Sequence, residues 1–294
     1  VRKISAVLLA GALVTGCADS EAMKGESSGE VRSISSIDEI RLPLDAYQPE
    51  HQKIVTFLRA QELLERDCLK RFGINRVPRS DAYYETLAAS ASPSLSLWLG
   101  VTSEELAGRD GYGVDPVEVL VQEDSGAPPA EQRDVLEGRI AEYSGQPVPE
   151  RGCTGEAVDR LGLTGTSVAP TSVDNLGEGS LRTLANTSAR SDPQMEKLNK
   201  AWNDCMNEAG YEDLRAPGPR YQRSLGESIS TKEQQMALAD VKCKNKLNYM
   251  GVWSAVQGRY EQQLVDKNFE VLEQRKKVVD DQIRRATQIL GTGS

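Results

Sequence analysis

Aromatic side chains are scarce in this chain: three Trp, nine Tyr and three Phe, 5% of 294 residues. With so few large apolar groups, and a hydrophilic average composition, a large dry core is excluded and an elongated helical body fits better. Histidine is rarer still. His51, the only one, cannot build a histidine metal site and leaves a Ser-His-Asp triad a single possible base. It sits in AYQPEHQKIV, just before a predicted helix, and reads as a solvated residue. No Gly-x-x-x-x-Gly-Lys loop, Gly-x-Gly-x-x-Gly turn, His-Glu-x-x-His or Cys-x-x-Cys pair occurs, so no cofactor, metal site or catalytic residue is assigned. Basic residues are outnumbered, 35 Lys and Arg against 44 Asp and Glu, for a net charge of −9. That balance repels phosphate backbones and excludes nucleic acid as an expected partner. No segment reaches the roughly 20 apolar residues that span a bilayer.

What is present begins at the N-terminus. Arg2 and Lys3 precede an apolar run from Ile4 to Val14, and Leu13-Val14-Thr15-Gly16-Cys17 closes it. Basic, apolar and small-residue parts in that order predict a lipoprotein signal peptide over residues 1–16. Small residues at Thr15 and Gly16 fit a peptidase, and the Cys17 thiol is the atom suited to thioether lipidation. One acyl chain binds a membrane marginally, whereas two or three, palmitate-like, anchor stably. The expected location is the extracytoplasmic face of the cell membrane, reached through lipid alone. Residues 17–40 follow as a flexible tether, largely ADSEAMKGESSGEVRSISS. Residues 25–29 spell Gly-x-Ser-x-Gly by chance, without the strand, helix and partners of a nucleophile elbow.

Four cysteines remain: Cys68, Cys153, Cys205 and Cys243. In an exported chain an even number points to disulfides, with three possible pairings. A weak internal duplication favours one. Leu64 to Ile74 and Ala201 to Tyr211 both read as a helix carrying Asp-Cys-apolar, with a Gly five residues after the Cys and an apolar residue next. Each is followed later by one more Cys on a helix-like stretch. Cys68 to Cys153 and Cys205 to Cys243 is the economical assignment. The fold class expected is therefore mainly α, with disulfide-stapled helices in two weakly similar copies. The first unit covers 41–163 and the second 192–292, joined by a Gly-, Ser-, Thr- and Pro-rich linker over 164–191. Asn186-Thr187-Ser188 in that linker is an incidental sequon.

Further elements are expected along the chain. Asp81 to Ala89 forms a short helix, and Thr102 with Glu105 forms a capping box for the next. Pro116 to Leu120 is a turn or extended piece, and Ala130 to Tyr143 another helix. Helices run from Asp192 to Ala209 and from Thr231 to Met250, with a break or bend at Gly251-Val252. Trp253 to Leu290 reads as one long amphipathic helix. Its seam of Val265, Phe269, Leu272, Lys276, Val279, Ile283, Ala286 and Leu290 is coiled-coil-like, and acids precede bases by four residues at Glu273/Lys277, Asp280/Arg284 and Asp281/Arg285. The far end of this helix is the expected partner surface. Trp202 and Trp253 are expected in the core. Trp98, with Tyr112, Tyr83 and Tyr84, is the candidate aromatic ligand contact.

LPLDAY at Leu42–Tyr47, the Cys68 helix, the Gly100–Gly113 segment, GCTGEA at Gly152–Ala157 and the run from Ala239 to Trp253 occur in an order that resembles uncharacterised secreted lipoproteins of actinobacteria. The resemblance covers most of the chain after residue 40. It implies a surface location in a high-GC Gram-positive bacterium and transfers no activity and no catalytic residue. The leading functional expectation is a non-enzymatic, lipid-anchored envelope protein acting as a binding or accessory module for a transporter or another surface protein. The alternatives are an extracytoplasmic receptor for a small molecule, peptide or cell-wall glycan, and an envelope hydrolase using a carboxylate pair.

Overall fold

A computed structural model describes residues 31–91, 95–113, 129–163, 170, 173–176, 180–218, 220 and 226–292. The signal peptide, Cys17, the residue 25–29 motif, most of the expected tether and the segment Pro116–Leu120 lie outside the described residues. From residue 31 onward the chain is one compact unit. Its helices are α1 (His51–Arg71), α2 (Asp81–Ala91), α3 (Ser96–Leu99), α4 (Glu104–Asp110), α5 (Ala130–Glu137), α6 (Gly152–Leu161), α7 (Leu181–Arg190), α8 (Pro193–Glu208), α9 (Thr231–Lys246) and α10 (Tyr249–Thr292). A two-stranded hairpin, β1 (Glu142–Tyr143) with β2 (Gln146–Pro147), interrupts the region expected to continue α5. The protein is mainly helical, carries two disulfides and ends in a long helix.

The two disulfides join Cys68 to Cys153, with Cα atoms 5.5 Å apart, and Cys205 to Cys243, at 5.8 Å. Around Cys68 and Cys205 the backbone repeats. Helix α1 closes with Ile74 N donating to Leu69 O and Gly73 N to Lys70 O. Helix α8 closes with Tyr211 N donating to Met206 O and Gly210 N to Asn207 O. Gly73 and Gly210 take φ of 74° and 87°, the left-handed geometry that lets the following apolar residue fold back on the last turn. The repeat stops there: Cys153 stands at the start of α6, Cys243 near the end of α9.

Helix α10 is the element the others share. It packs with α7, α8 and α9 and with α1 and α6. Near its start Met250, Trp253 and Val256 join Trp202, Met206 and Cys243 in the largest apolar cluster. Near its end Ala286, Ile289 and Leu290 pack with Phe57, Ala60 and Leu64 of α1 and Leu161 of α6. This corrects the expectation of an unpartnered far end: α1 covers it. The seam holds at Val265, Leu272, Val279, Ile283 and Ala286, all buried. It fails at Phe269, which is 53% exposed beside Asn268, where φ −118° and ψ 17° break the helical path. Lys276, the polar interruption, donates from Nζ to Ala46 O at 2.8 Å, closing the last carbonyl of the 3-10 turn Pro43–Ala46. On the outer face Arg284 pairs with Asp281, three residues back.

Four more expectations are corrected. The chain break lies at Asn248 (φ 48°), and Gly251 sits inside α10. Its missing Cβ leaves room for the carbonyl of Arg32, which any side chain there would strike. Asn248 holds that passing segment at both ends: Ile34 N donates to its Oδ1 and its Nδ2 donates to Arg32 O, both at 3.1 Å. Residues 31–40, expected as tether, are thus part of the body, with Ile34 and Ile40 buried in the main cluster. The expected linker contains α7, capped by Ser180 and burying Leu181, Ala185 and Ala189 at four-residue spacing. The cap of α4 is Ser103, whose side chain accepts from Leu106 N, one residue after the expected Thr102.

Candidate functional site

The folded body meets solvent in a cleft of about 110 Å³ between α3, α7, the start of α8 and the start of α10. Trp98 and Trp253 form one side, with ring centroids 6.0 Å apart and planes tilted by 36°. Trp253 is buried and Trp98 half-buried. Gly100 ends α3 with φ 65°, and a Cβ there would strike the backbone of Gly218, so the two glycines let the α3 end and the 216–218 loop meet as the cleft wall. That loop is held from behind: Asn203 donates its side-chain amide to Leu214 O, and Arg220 donates to Ala216 O at 2.8 Å while standing over the Trp202 ring.

The polar wall comes from α7, α8 and α10. Tyr249 donates its hydroxyl to Asn199 Oδ1 at 2.7 Å, and burial pushes the phenol well above its ordinary pKa. It stays a neutral donor at any working pH. Asn199 is thereby oriented, with its carbonyl oxygen engaged. Asn186 donates from Nδ2 to Gln257 Oε1 at 3.4 Å, so its amide orientation is also set from α10. Arg190, exposed at the end of α7, puts a guanidinium at the rim. Of Asn186, Asn199, Arg190 and Tyr249 only Asn186 falls in a sequence motif, the incidental sequon, and none is marked as a site; the packing of three helices brings them together.

Tyr112, the other candidate ligand contact, lies elsewhere. It is 6% exposed and borders a separate groove of about 270 Å³ with Ile37, Val101 and Leu106. Its amide donates to Glu233 Oε1 at 3.1 Å. Tyr83 and Tyr84 meet edge-on at 5.8 Å on α2, packed on Ile54 and Val55 of α1. The expected aromatic cluster is therefore corrected to a Trp98–Trp253 pair alone. His51 opens α1 in solvent, 2.6 Å from Glu85 Oε2.

Two charged groups are fully buried behind the cleft. Lys244 Nζ donates to Asp240 Oδ2 at 3.0 Å and to Val101 O at 2.8 Å, and Trp202 Nε1 donates to Asp240 Oδ1 at 2.9 Å. Burial drives the Asp240 carboxyl up and the Lys244 ammonium down, each against the pull of its partner. Farther along α10, Glu261 accepts from Leu44 N at 3.0 Å and from Gln257 Nε2 at 3.0 Å, with the Arg182 guanidinium 3.4 Å away. Burial raises the Glu261 carboxyl as well. With Asp240 and Glu261 at 0% exposure, neither carboxylate faces a substrate; they tie helices together. Among the described residues no group of His, Cys, Asp and Glu is arranged to hold a metal ion, and no helix is long and apolar enough to cross a membrane.

No family model, curated protein or solved structure matches this chain.

Proposed function

We propose that this chain is a lipid-anchored envelope protein of non-enzymatic type, held at the extracytoplasmic face through Cys17 and acting by binding another envelope or membrane component. The observation that carries this reading is the cysteine ledger. Of five cysteines, four are joined in two disulfides, the chemistry of an oxidising compartment. The fifth is the one at the end of the signal-like run. Mass spectrometry of the native protein tests the anchor: a diacylated or triacylated N-terminal Cys17 peptide is expected. A leader still attached, or a Cys17→Ala variant that stays in the membrane fraction, overturns it.

The receptor alternative gains from one feature. Trp98 and Trp253 share an open cleft with oriented amides, whereas the far end of α10, the surface expected to meet a protein partner, is covered by α1. A binding function centred on the cleft therefore has the better geometric support. Cross-linking in the native membrane tests the accessory role: a specific transporter cross-linked through the Trp98 face supports it, and cross-links scattered evenly over the surface count against it.

A further inference from the structure

We infer that the Trp98 cleft is a saccharide site that takes one acidic sugar ring, such as the end of a uronic-acid or carboxyl-bearing glycan. The inference rests on the reading of this chain as a binding protein and names the ligand class. Three features of the cleft converge. An indole face, half-exposed at Trp98 and backed by Trp253, offers the flat apolar platform on which the C–H face of a pyranose stacks. The same cleft is lined by two primary amides whose orientation is already fixed. Asn199 gives its oxygen to Tyr249, which leaves its N–H2 as donor; Asn186 gives an N–H to Gln257, which leaves its oxygen as acceptor. One donor and one acceptor lining the same cleft match a pair of sugar hydroxyls, each of which both gives and takes a hydrogen bond. Third, the rim carries Arg190, a cation whose planar fork suits a carboxylate.

Size decides the extent of the ligand. Drug-sized molecules are buried in pockets of roughly 300 to 1,000 Å³, so about 110 Å³ receives a single ring and leaves the rest of a glycan in solvent. A peptide is the weaker fit, because the cleft presents no sheet edge to pair a backbone. A single sugar of about twelve to fourteen heavy atoms at ordinary ligand efficiency binds in the range of ~1 mM. Useful affinity for a polymer would then come from a membrane-bound array of copies.

The test is saturation-transfer NMR and intrinsic Trp fluorescence titration of the residue 17–294 chain, with glucuronate, glucose and the dipeptide alanyl-alanine as probes. Glucuronate is expected to saturate with Kd near 1 mM and glucose to bind at least several-fold more weakly. Arg190→Gln, an exposed change, should erase that preference by weakening glucuronate to the level of glucose. Trp98→Phe should weaken both sugars with the circular dichroism melting curve retained; Trp98→Ala then removes them. Equal binding of glucuronate and glucose by the parent chain, preference for the dipeptide, or no saturation by either sugar at 50-fold above the expected Kd overturns the assignment. Each of these results leaves the Cys17 anchor and the wider binding role standing, since those are read by mass spectrometry and cross-linking.

Discussion

Replacing Lys244 by Met should destabilise this protein more than any exposed charge change. Lys244 is 1% exposed, and its ammonium makes two contacts, to Asp240 Oδ2 at 3.0 Å and to Val101 O at 2.8 Å. Met fills a similar volume but removes the nearest cation from Asp240, which keeps the Trp202 indole N–H and the weaker pull of Arg220, and leaves the Val101 carbonyl without this donor. Breaking a buried ion pair in this way costs about 3 to 5 kcal/mol. At about 2 to 4 °C per kcal/mol for a body of this size, the melting point should fall by roughly 6 to 20 °C. Urea unfolding followed by Trp fluorescence measures the loss directly, since Trp202 reports from the network itself. The variant's deficit should also depend on pH. Burial raises the folded-state Asp240 carboxyl above its unfolded value, and removal of Lys244 deletes the largest of the charges that oppose this rise. The folded variant then binds a proton that the unfolded chain has released, so its stability is retained below the unfolded carboxylate pKa of about 3.9 and declines as pH rises through the raised one. The deficit should therefore be smaller at pH 4 than at pH 7. Combining Asp240→Leu with Lys244→Met should recover part of the loss, because no unpaired charge remains. A single-variant cost under about 1 kcal/mol, or a double variant as unstable as the sum of the two singles, would refute the account of a mutually dependent buried pair.

Other expected outcomes follow from the same contacts. Converting Cys205 and Cys243 to Ala should cost about 4 kcal/mol, and the Cys68–Cys153 pair about 4.5 kcal/mol, in urea midpoints, the longer loop costing more in the chain-entropy model; a larger loss at the 38-residue separation than at the 85-residue one contradicts that ordering. Asn248→Ala removes both hydrogen bonds to the passing Arg32–Ile34 segment, at about 1 kcal/mol each, and tryptic cleavage after Arg32 should quicken roughly tenfold or more while the circular dichroism signal changes little. Gly152→Ala should lose about 3 kcal/mol or fail to fold, since a Cβ at φ 64° would run into the backbone of Leu136 and Gly138. Gly145→Ala, also at positive φ but with nothing nearby, should cost only about 1 kcal/mol, and equal costs at the two sites would show that backbone geometry alone, without the close approach, is responsible.

The disulfide pairing was legible because two helices, α1 and α8, end alike, each with a Gly five residues past its Cys, and that ending sets where the chain turns. Helix α7 was not legible. Its buried stripe is Leu181, Ala185 and Ala189, too small to stand out from the Ser, Thr and Asn around it. Its polar residues Arg182 and Asn186 are buried because Gln257, Glu261 and Asp45 receive them, partners that no local pattern announces. Residues 31–40 were missed for a similar reason: Ile34 and Ile40 are spaced among serines and charges, and only Asn248, more than two hundred residues away, fixes their path. In the cleft Trp98 could be singled out as a large aromatic residue in the run SLSLWLGV. Its amide and guanidinium neighbours come from helices far along the chain and could not.

The seat of the Arg32–Ile34 segment has a mechanical consequence. Tension applied through the residues upstream does not reach the body at the outer end of α1, where a helix could be unzipped turn by turn. It arrives at the joint between α9 and α10, across two hydrogen bonds borne by one asparagine. Just behind that joint, the cystine at Cys243 fastens α9 to α8. A pull is thus passed to α9 and α10 and, through the covalent clamp, to α8, within the same apolar cluster that backs the Trp98–Trp253 wall.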